Sequence, residues 1–185
     1  MPNWCVNELS ITGPDTELRR FKRTGKAKST ALSLDRFVPI PDELQGKASP
    51  AHVVPDDKYE QALQHHEAQI RETPLLTNMA PISESMSQAY SARFGADNWY
   101  DWCMENWGTK WDVQATLIMD EPGELRYTFA SAWDPPLTWL ATVSRIFPVL
   151  KFEIITYLEE ESSRPYFARA KGGILGAPTA PQRVG

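Results

Sequence analysis

The sequence predicts an α+β protein, one antiparallel sheet with helices on one of its faces, and three observations predict it. Apolar and polar residues alternate at Cys5 to Ile11, Leu125 to Phe129 and Phe152 to Leu158, the period of a half-buried strand. Helical spacing falls between those stretches, at Leu18 and Phe21 and again at Leu137, Leu140, Val143 or Ser144, and Phe147. Four of the seven tryptophans crowd into residues 98–112, where Trp99, Trp102 and Cys103 share a helical face that Trp107 continues.

In chain order, Cys5, Asn7, Leu9 and Ile11 make the inner side of a first strand that Gly13-Pro14 closes. Asn7 interrupts that apolar side, and a buried amide requires partners, from backbone or from a ligand. Asp15 or Thr16 is placed to cap the next helix, which ends near Gly25. Arg19, Arg20, Lys22, Arg23, Lys26 and Lys28 form a basic cluster that reads as a solvated helix face running into a loop.

From about 26 to 87, prolines at 39, 41, 50, 55, 74 and 81 divide the chain into short pieces, which predicts an insertion. Within it we expect an extended piece through Leu32, Leu34, Phe37 and Val38, and a mobile loop over 46–55. A helix from about Asp57 to Glu72 would be capped by Asp56, with Tyr59, Leu63, His66 and Ile70 on one face. Ser83 or Ser85 starts another, which aligns Met86, Tyr90 and Phe94 until Gly95 interrupts it.

Asp97 or Asn98 caps the tryptophan helix. Gly108 then has two readings: a left-handed C-cap, or one member of an anion-binding turn with Asn106, Thr109 and Lys110. The apolar helix before it and the alternation after it favour the cap. A strand near 113–119 turns back at Asp120-Glu121-Pro122-Gly123 into a hairpin. Trp133-Asp134-Pro135-Pro136 reads as a helix start with Asp134 as cap and Pro135 at the first helical position, and Pro148 as the stop. A strand at Phe152 to Leu158, an acidic rim Glu159-Glu160-Glu161 and a last strand around Tyr166 to Ala170 follow, with 173–185 expected as a flexible tail. Without the insertion the order is β-α-β-β-α-β, the ferredoxin-like split β-α-β pattern, as a single domain over 1–172.

A net charge of −5 argues against a nonspecific nucleic-acid binder, which needs cations to displace phosphate counterions. No apolar run approaches the roughly 20 residues of a membrane span, and Met1-Pro2-Asn3-Trp4 leads directly into a strand pattern rather than a secretory leader. Cys5 and Cys103 sit in apolar patterns and read as buried thiols of a cytoplasmic protein. No glycine-rich phosphate loop is present, and the adjacent His65 and His66 point about 100° apart on their helix, so they cannot grip one ion. Pro2 is the one residue with an enzymatic rationale, since removal of Met1 would leave it a terminal secondary amine, which in apolar surroundings can act as a general base. The open sheet face is expected to carry Glu8, Ser10, Gln114, Thr116, Arg126, Thr128, Glu153 and Tyr157, a mixed-charge set unlike the aromatic-rich face of RNA-binding domains.

The blocks Met1-Pro2-Asn3-Trp4-Cys5-Val6-Asn7, Glu105-Asn106-Trp107-Gly108-Thr109-Lys110-Trp111-Asp112 and Phe129-Ala130-Ser131-Ala132-Trp133-Asp134-Pro135-Pro136 resemble the Api92-like (YubB-type) family of phage and plasmid proteins. The resemblance implies a ferredoxin-like domain of unassigned activity, in topology only. Two cysteines cannot hold an ordinary iron-sulfur cluster. It also implies a mobile-element origin and an accessory role in a bacterial host. The expectation is therefore a non-enzymatic interaction protein in the host cytoplasm, without cofactor or metal, acting on a host protein in defence or regulation. Asn7, Trp107, Lys110, Trp133 and Tyr157 are its candidate binding residues. The alternative is a small-molecule sensor or enzyme with a pocket beside the tryptophans.

Overall fold

The computed structural model describes residues 3–75, 79–158 and 165–176. Its elements in chain order are β1 (Trp4–Thr12), α1 (Asp15–Gly25), β2 (Val53–Val54), α2 (Tyr59–Glu72), β3 (Ile82–Ser83), α3 (Glu84–Phe94) and α4 (Trp99–Asn106). There follow β4 (Thr116–Glu121), β5 (Glu124–Ala132), α5 (Leu137–Ile146), β6 (Lys151–Leu158), β7 (Tyr166–Lys171) and β8 (Ile174–Leu175). The chain is α+β and divides into two compact units, residues 1–39 with 106–185, and residues 40–105.

The first unit is built on a six-stranded sheet of order β4-β5-β1-β6-β7-β8 in which the paired strands are antiparallel. Register places Leu9 between Tyr127 and Ile154, and Ile11 between Leu125 and Phe152. Strand period two therefore gathers Cys5, Leu9, Ile11, Leu125, Tyr127, Phe129, Phe152, Ile154, Ala168 and Ala170 on one buried face. On α1, Leu18 and Phe21 are buried, and on α5 the buried residues are Trp139, Leu140, Val143 and Ser144. The Phe21 ring is the hub, with centroids of Phe37, Phe147, Phe152 and Tyr127 at 4.8, 5.5, 5.7 and 6.3 Å. Each such ring, fully buried, contributes roughly 1.5 to 3 kcal/mol of transfer free energy.

Several local expectations change. Asp15 does not cap α1, whose N-cap is Pro14; its carboxylate accepts the Gly123 amide at 2.8 Å and so ties α1 to the β4–β5 turn. Asp134 does not cap α5 either. Pro136 sits at ψ 63, outside the helical region, so the helix begins after both prolines. The strand expected near 113–119 starts at Thr116, because Asp112 turns its side chain back to accept the amides of Leu34 and Val113 and the Ser33 hydroxyl. Between Leu117 and Met119 the ladder slips, leaving Ile118 exposed on a bulged edge.

The piece through Leu32 to Val38 is a pinned coil rather than a strand. The Leu34 carbonyl accepts the amides of Phe37 and Val38 and the Trp139 indole N–H, and the Val38 carbonyl accepts the Trp107 indole N–H at 2.9 Å. Residues 174 and 175, inside the expected tail, pair with Ala170 and Lys171, and the Gly173 amide donates to Ser144 on α5. The acidic rim at 159–161 and the rest of the tail from 177 lie outside the described residues.

The second unit holds a parallel pair, β2 with β3, together with α2, α3 and most of α4. Ser83 caps α3 by accepting the Met86 amide, Gly95 ends it at φ 82, and Asn98 accepts the Asp101 amide at the start of α4. Asp56 does not cap α2. It accepts the Ser85 amide and hydroxyl, and hydrogen bonds from Ser83 and Ser85 hold its carboxyl below the usual range. The loop expected at 46–55 is tied down as well, since the Gly46 carbonyl accepts the Ala80 amide and Val53 pairs with Ile82. On α2, His66 is buried while Tyr59, Leu63 and Ile70 are half-buried, as their shared face predicts.

Candidate functional site

The five candidate binding residues divide sharply. Asn7 is inaccessible, and its amide is consumed inside the sheet: Nδ2 donates to the Cys5 carbonyl at 3.1 Å and the Ser131 hydroxyl at 2.9 Å, while Oδ1 accepts from Thr156 at 2.8 Å. Ser131, diagonal to Asn7 on β5, and Thr156, directly across on β6, thus form with Asn7 a polar chain through the sheet, with every member satisfied. Trp107 is buried and bonded to the Val38 carbonyl, as described.

Lys110, Trp133 and Tyr157 are accessible. Lys110 lays its ammonium 4.5 Å from the centroid of the Trp111 ring, a cation–π contact. Trp133 sits at φ 69, a strained value for a bulky residue, and three bonds hold the turn: its amide donates to Asn3, its carbonyl accepts the Cys5 thiol, and the Ser131 hydroxyl donates to the Asp134 carbonyl. Burial, with Asp134 adding to it, pushes that Cys5 thiol up to about 11, so it is a donor and an inert one. Tyr157 stands on the open face directly across from Val6.

Around Tyr157 the open face gathers an aromatic patch. Trp4 is 41% exposed, Val6 49%, Trp111 39% and Tyr157 41%, and the rings of Trp4 and Trp111 lie 6.0 Å apart with planes 31° apart. Trp4 and Val6 were missed because the alternation was read from Cys5 inward, and Trp111 because it was read in one strand row with Val113, Ala115, Leu117 and Met119, whereas residues 111–115 are not strand and Trp111 is 39% exposed. Extended back by one residue, the same period two puts Trp4, Val6 and Glu8 together on the outer side. Gln114, placed on this face from sequence, lies outside β4, since residues 111–115 are not strand.

The rest of that face is charged and matched in part. Arg126 pairs with Glu124 at 2.8 Å and Arg169 with Glu153 at 2.7 Å. Among the described residues three shallow cavities have no tryptophan in their linings, and the third takes in Glu153 and Arg169 of this same face. One of about 260 Å³ is bounded by Asp15, Lys22 and Asp120; one of about 440 Å³ by Asp97, Asp101 and Glu105; one of about 430 Å³ by Lys151, Lys171 and Ile174. Among the described residues no group of three or more His, Cys, Asp or Glu side chains is arranged to hold a metal ion. No helix among them is long and apolar enough to cross a membrane. Pro2 is outside the described residues.

Gly108 turns left-handed against the start of α5. It takes φ 80, and a Cβ there would sit 3.4 Å from the amide nitrogens of Leu137 and Thr138 and from the Thr138 hydroxyl, so the start of α5 occupies the space beside it. The Trp107 carbonyl accepts the Trp139 amide, and the Thr109 hydroxyl donates to the Ala132 carbonyl, which closes the junction further.

No family model matches the sequence, and no curated protein matches it. The crystal structure of a protein api92 from Yersinia pseudotuberculosis, assigned to the family model DUF1281, is similar over 100% of both chains, with a TM-score of 0.53 and 12% sequence identity. That likeness shows an Api92-like fold and nothing of activity.

Proposed function

We propose that this chain is a non-enzymatic interaction protein that grips a host protein through the aromatic patch on its open sheet face. The exposed cluster of Trp4, Val6, Trp111 and Tyr157 carries this reading. Three rings about two-fifths exposed, with Val6, amount to on the order of 300 to 400 Å² of contiguous surface, the scale at which a patch on a monomer is often functional. Aromatic side chains supply contact area at low entropic cost, which is why they anchor interfaces.

The strand order β4-β5-β1-β6, with α1 and α5 as the connections, supports a ferredoxin-like core extended by β7 and β8. Together with the full-length likeness to the api92 structure, it supports membership of the Api92-like family, and with it a phage or plasmid origin and a site of action in the bacterial cytoplasm, in defence or regulation. The test is a pull-down from bacterial lysate with the wild-type chain and a Trp4→Ala/Tyr157→Ala variant of unchanged melting temperature. One host protein recovered by the wild type and lost by the variant supports the proposal. Equal recovery by both places the interface elsewhere and overturns the patch.

A further inference from the structure

We infer that the cavity at the far corner of the open sheet face binds a small organic anion with an apolar body, an acyl or aryl carboxylate. This goes beyond the interaction reading and does not rest on it. The cavity, of about 430 Å³, takes Lys151, Glu153, Arg169, Lys171, Ile174 and Gly176 into its lining, and its volume is that of a small-molecule site. It stands about 20 Å along β6 from Tyr157 and so is separate from the aromatic patch.

Register brings two lysines together there. Phe152 pairs with Ala170 and Lys171 with Ile174, so one step beyond the first pair sets Lys151 directly across from Lys171, with Ile174 next in the same row. Phe152 and Ala170 are buried on the inner face, and strand period therefore turns both lysines outward. Like charges in that position, with Cβ atoms about 4.5 to 5.5 Å apart, destabilise the pair. Among the described residues neither ammonium has an ion-pair partner. Glu153, the carboxylate in the lining, is engaged by Arg169 at 2.7 Å, and that guanidinium also lies 4.6 Å from the centroid of the Phe167 ring. The lining thus sets three cations against one carboxylate in a chain of net charge −5. Of the other two cavities, one mixes Arg19 and Lys22 with Asp15, Asp120 and Glu121, and one carries Asp97, Asp101 and Glu105 with no cation, so neither favours an anion.

An anion between the two ammoniums replaces one repulsion with two attractions. The apolar body follows from what stands beside them: Ile174 is 77% exposed, and lysine stems are themselves aliphatic. That wall is held in place from both ends, since the Gly173 amide donates to the Ser144 hydroxyl at 2.9 Å and the Gly176 amide to the Arg169 carbonyl at 2.8 Å. A polyanion such as a nucleic-acid strand fits worse. Across β1 and β5 the same two rows continue as Thr12 and Glu124, and as Ser10 and Arg126, with Arg126 matched by Glu124, so unmatched cations do not extend along the face.

The test is titration of the isotope-labelled full chain with hexanoate, hexylammonium, inorganic phosphate and tetraglutamate, followed by backbone amide shifts. Hexanoate is expected to move the amides of Lys151, Lys171 and Ile174 saturably while those of Trp4 and Tyr157 stay, and hexylammonium to move none of them. Phosphate, which lacks the apolar body, should bind at least about tenfold more weakly than hexanoate. Lys171→Met keeps the stem and loses the charge, so it should weaken hexanoate at least about tenfold. Because it also removes the like-charge pair, it should raise the urea midpoint without ligand, which separates a lost site from a lost fold; Lys151→Met repeats both readouts from the other strand. Absence of saturable shifts at the three amides overturns the inference. So does phosphate or tetraglutamate binding there as tightly as hexanoate, or hexanoate binding unchanged by both lysine substitutions. Capture of the host protein depends on Trp4 and Tyr157 and is read separately, so failure here leaves that reading standing.

Discussion

The two faces of the same three strands, β1, β5 and β6, differ in every respect that matters to function. The inner face matches Asn7, Ser131 and Thr156 to one another inside the sheet, leaves the buried Tyr127 hydroxyl without a hydrogen bond, and packs its large rings. One residue along the chain, the outer face leaves Trp4, Val6 and Tyr157 in solvent. Substitution on the inner face should therefore cost stability, whereas substitution on the outer face should cost binding alone. An aromatic-rich sequence marks a fold where the period turns it inward and a surface where the period turns it outward.

Breaking the inner side has the largest expected effect at Trp107. Trp107→Ala removes a fully buried indole and its bond to Val38 and should cost about 3 to 5 kcal/mol in urea unfolding. A loss below about 1 kcal/mol would mean that the tryptophan junction is not core. Asn7→Ala strands the Thr156 hydroxyl and removes a donor to the Ser131 hydroxyl, and should cost about 2 to 3 kcal/mol, measured the same way.

Alkaline pH probes the same face without a mutation. Cys5 loses its proton near 9 in the unfolded chain and near 11 in the fold, so its contribution is intact below pH 9 and is lost as pH rises from 9 to 11. The fall should be about 2 kcal/mol, with Tyr127, also raised by burial, adding to it above pH 10. Urea midpoints at pH 8 and 10.5 measure it, and Cys5→Ala should flatten the part that begins near 9. Native-state thiol titration should find both Cys5 and Cys103 slow, since both are buried thiols outside any disulfide.

Gly108→Ala lies between the extremes. The φ of 80 should make it cost about 1 kcal/mol, with partner capture unchanged because α5 already fills the space beside it. Impaired capture at unchanged stability would restore the anion-turn reading. The smallest stability effect belongs to the outer face, where Tyr157→Ala should shift unfolding by less than about 0.5 kcal/mol while abolishing partner capture. A larger stability loss would erase the distinction between the faces.

The sequence by itself determined the strands and helices whose period is strict, because alternation at Cys5 to Ile11 and at Phe152 to Leu158 is a local consequence of burying one side of an extended chain. It also determined glycine and serine punctuation at Gly95, Gly123 and Ser83, where backbone conformation or a neighbouring amide makes the requirement local. Only the tertiary structure decided what Asp15, Asp56, Asp112 and Asp134 do. A short carboxylate beside a helix start is a cap unless a distant amide reaches it first, as Gly123 and Ser85 reach Asp15 and Asp56, while Asp112, in a stretch read as strand, takes the Leu34 amide instead. Asp134 loses the role to the two prolines that delay α5. The patch was half legible for the same reason. Tyr157 can be placed on the outer face from its strand alone, but the meeting of Trp4 with Trp111 depends on a contact between residues more than a hundred positions apart, which no local pattern encodes.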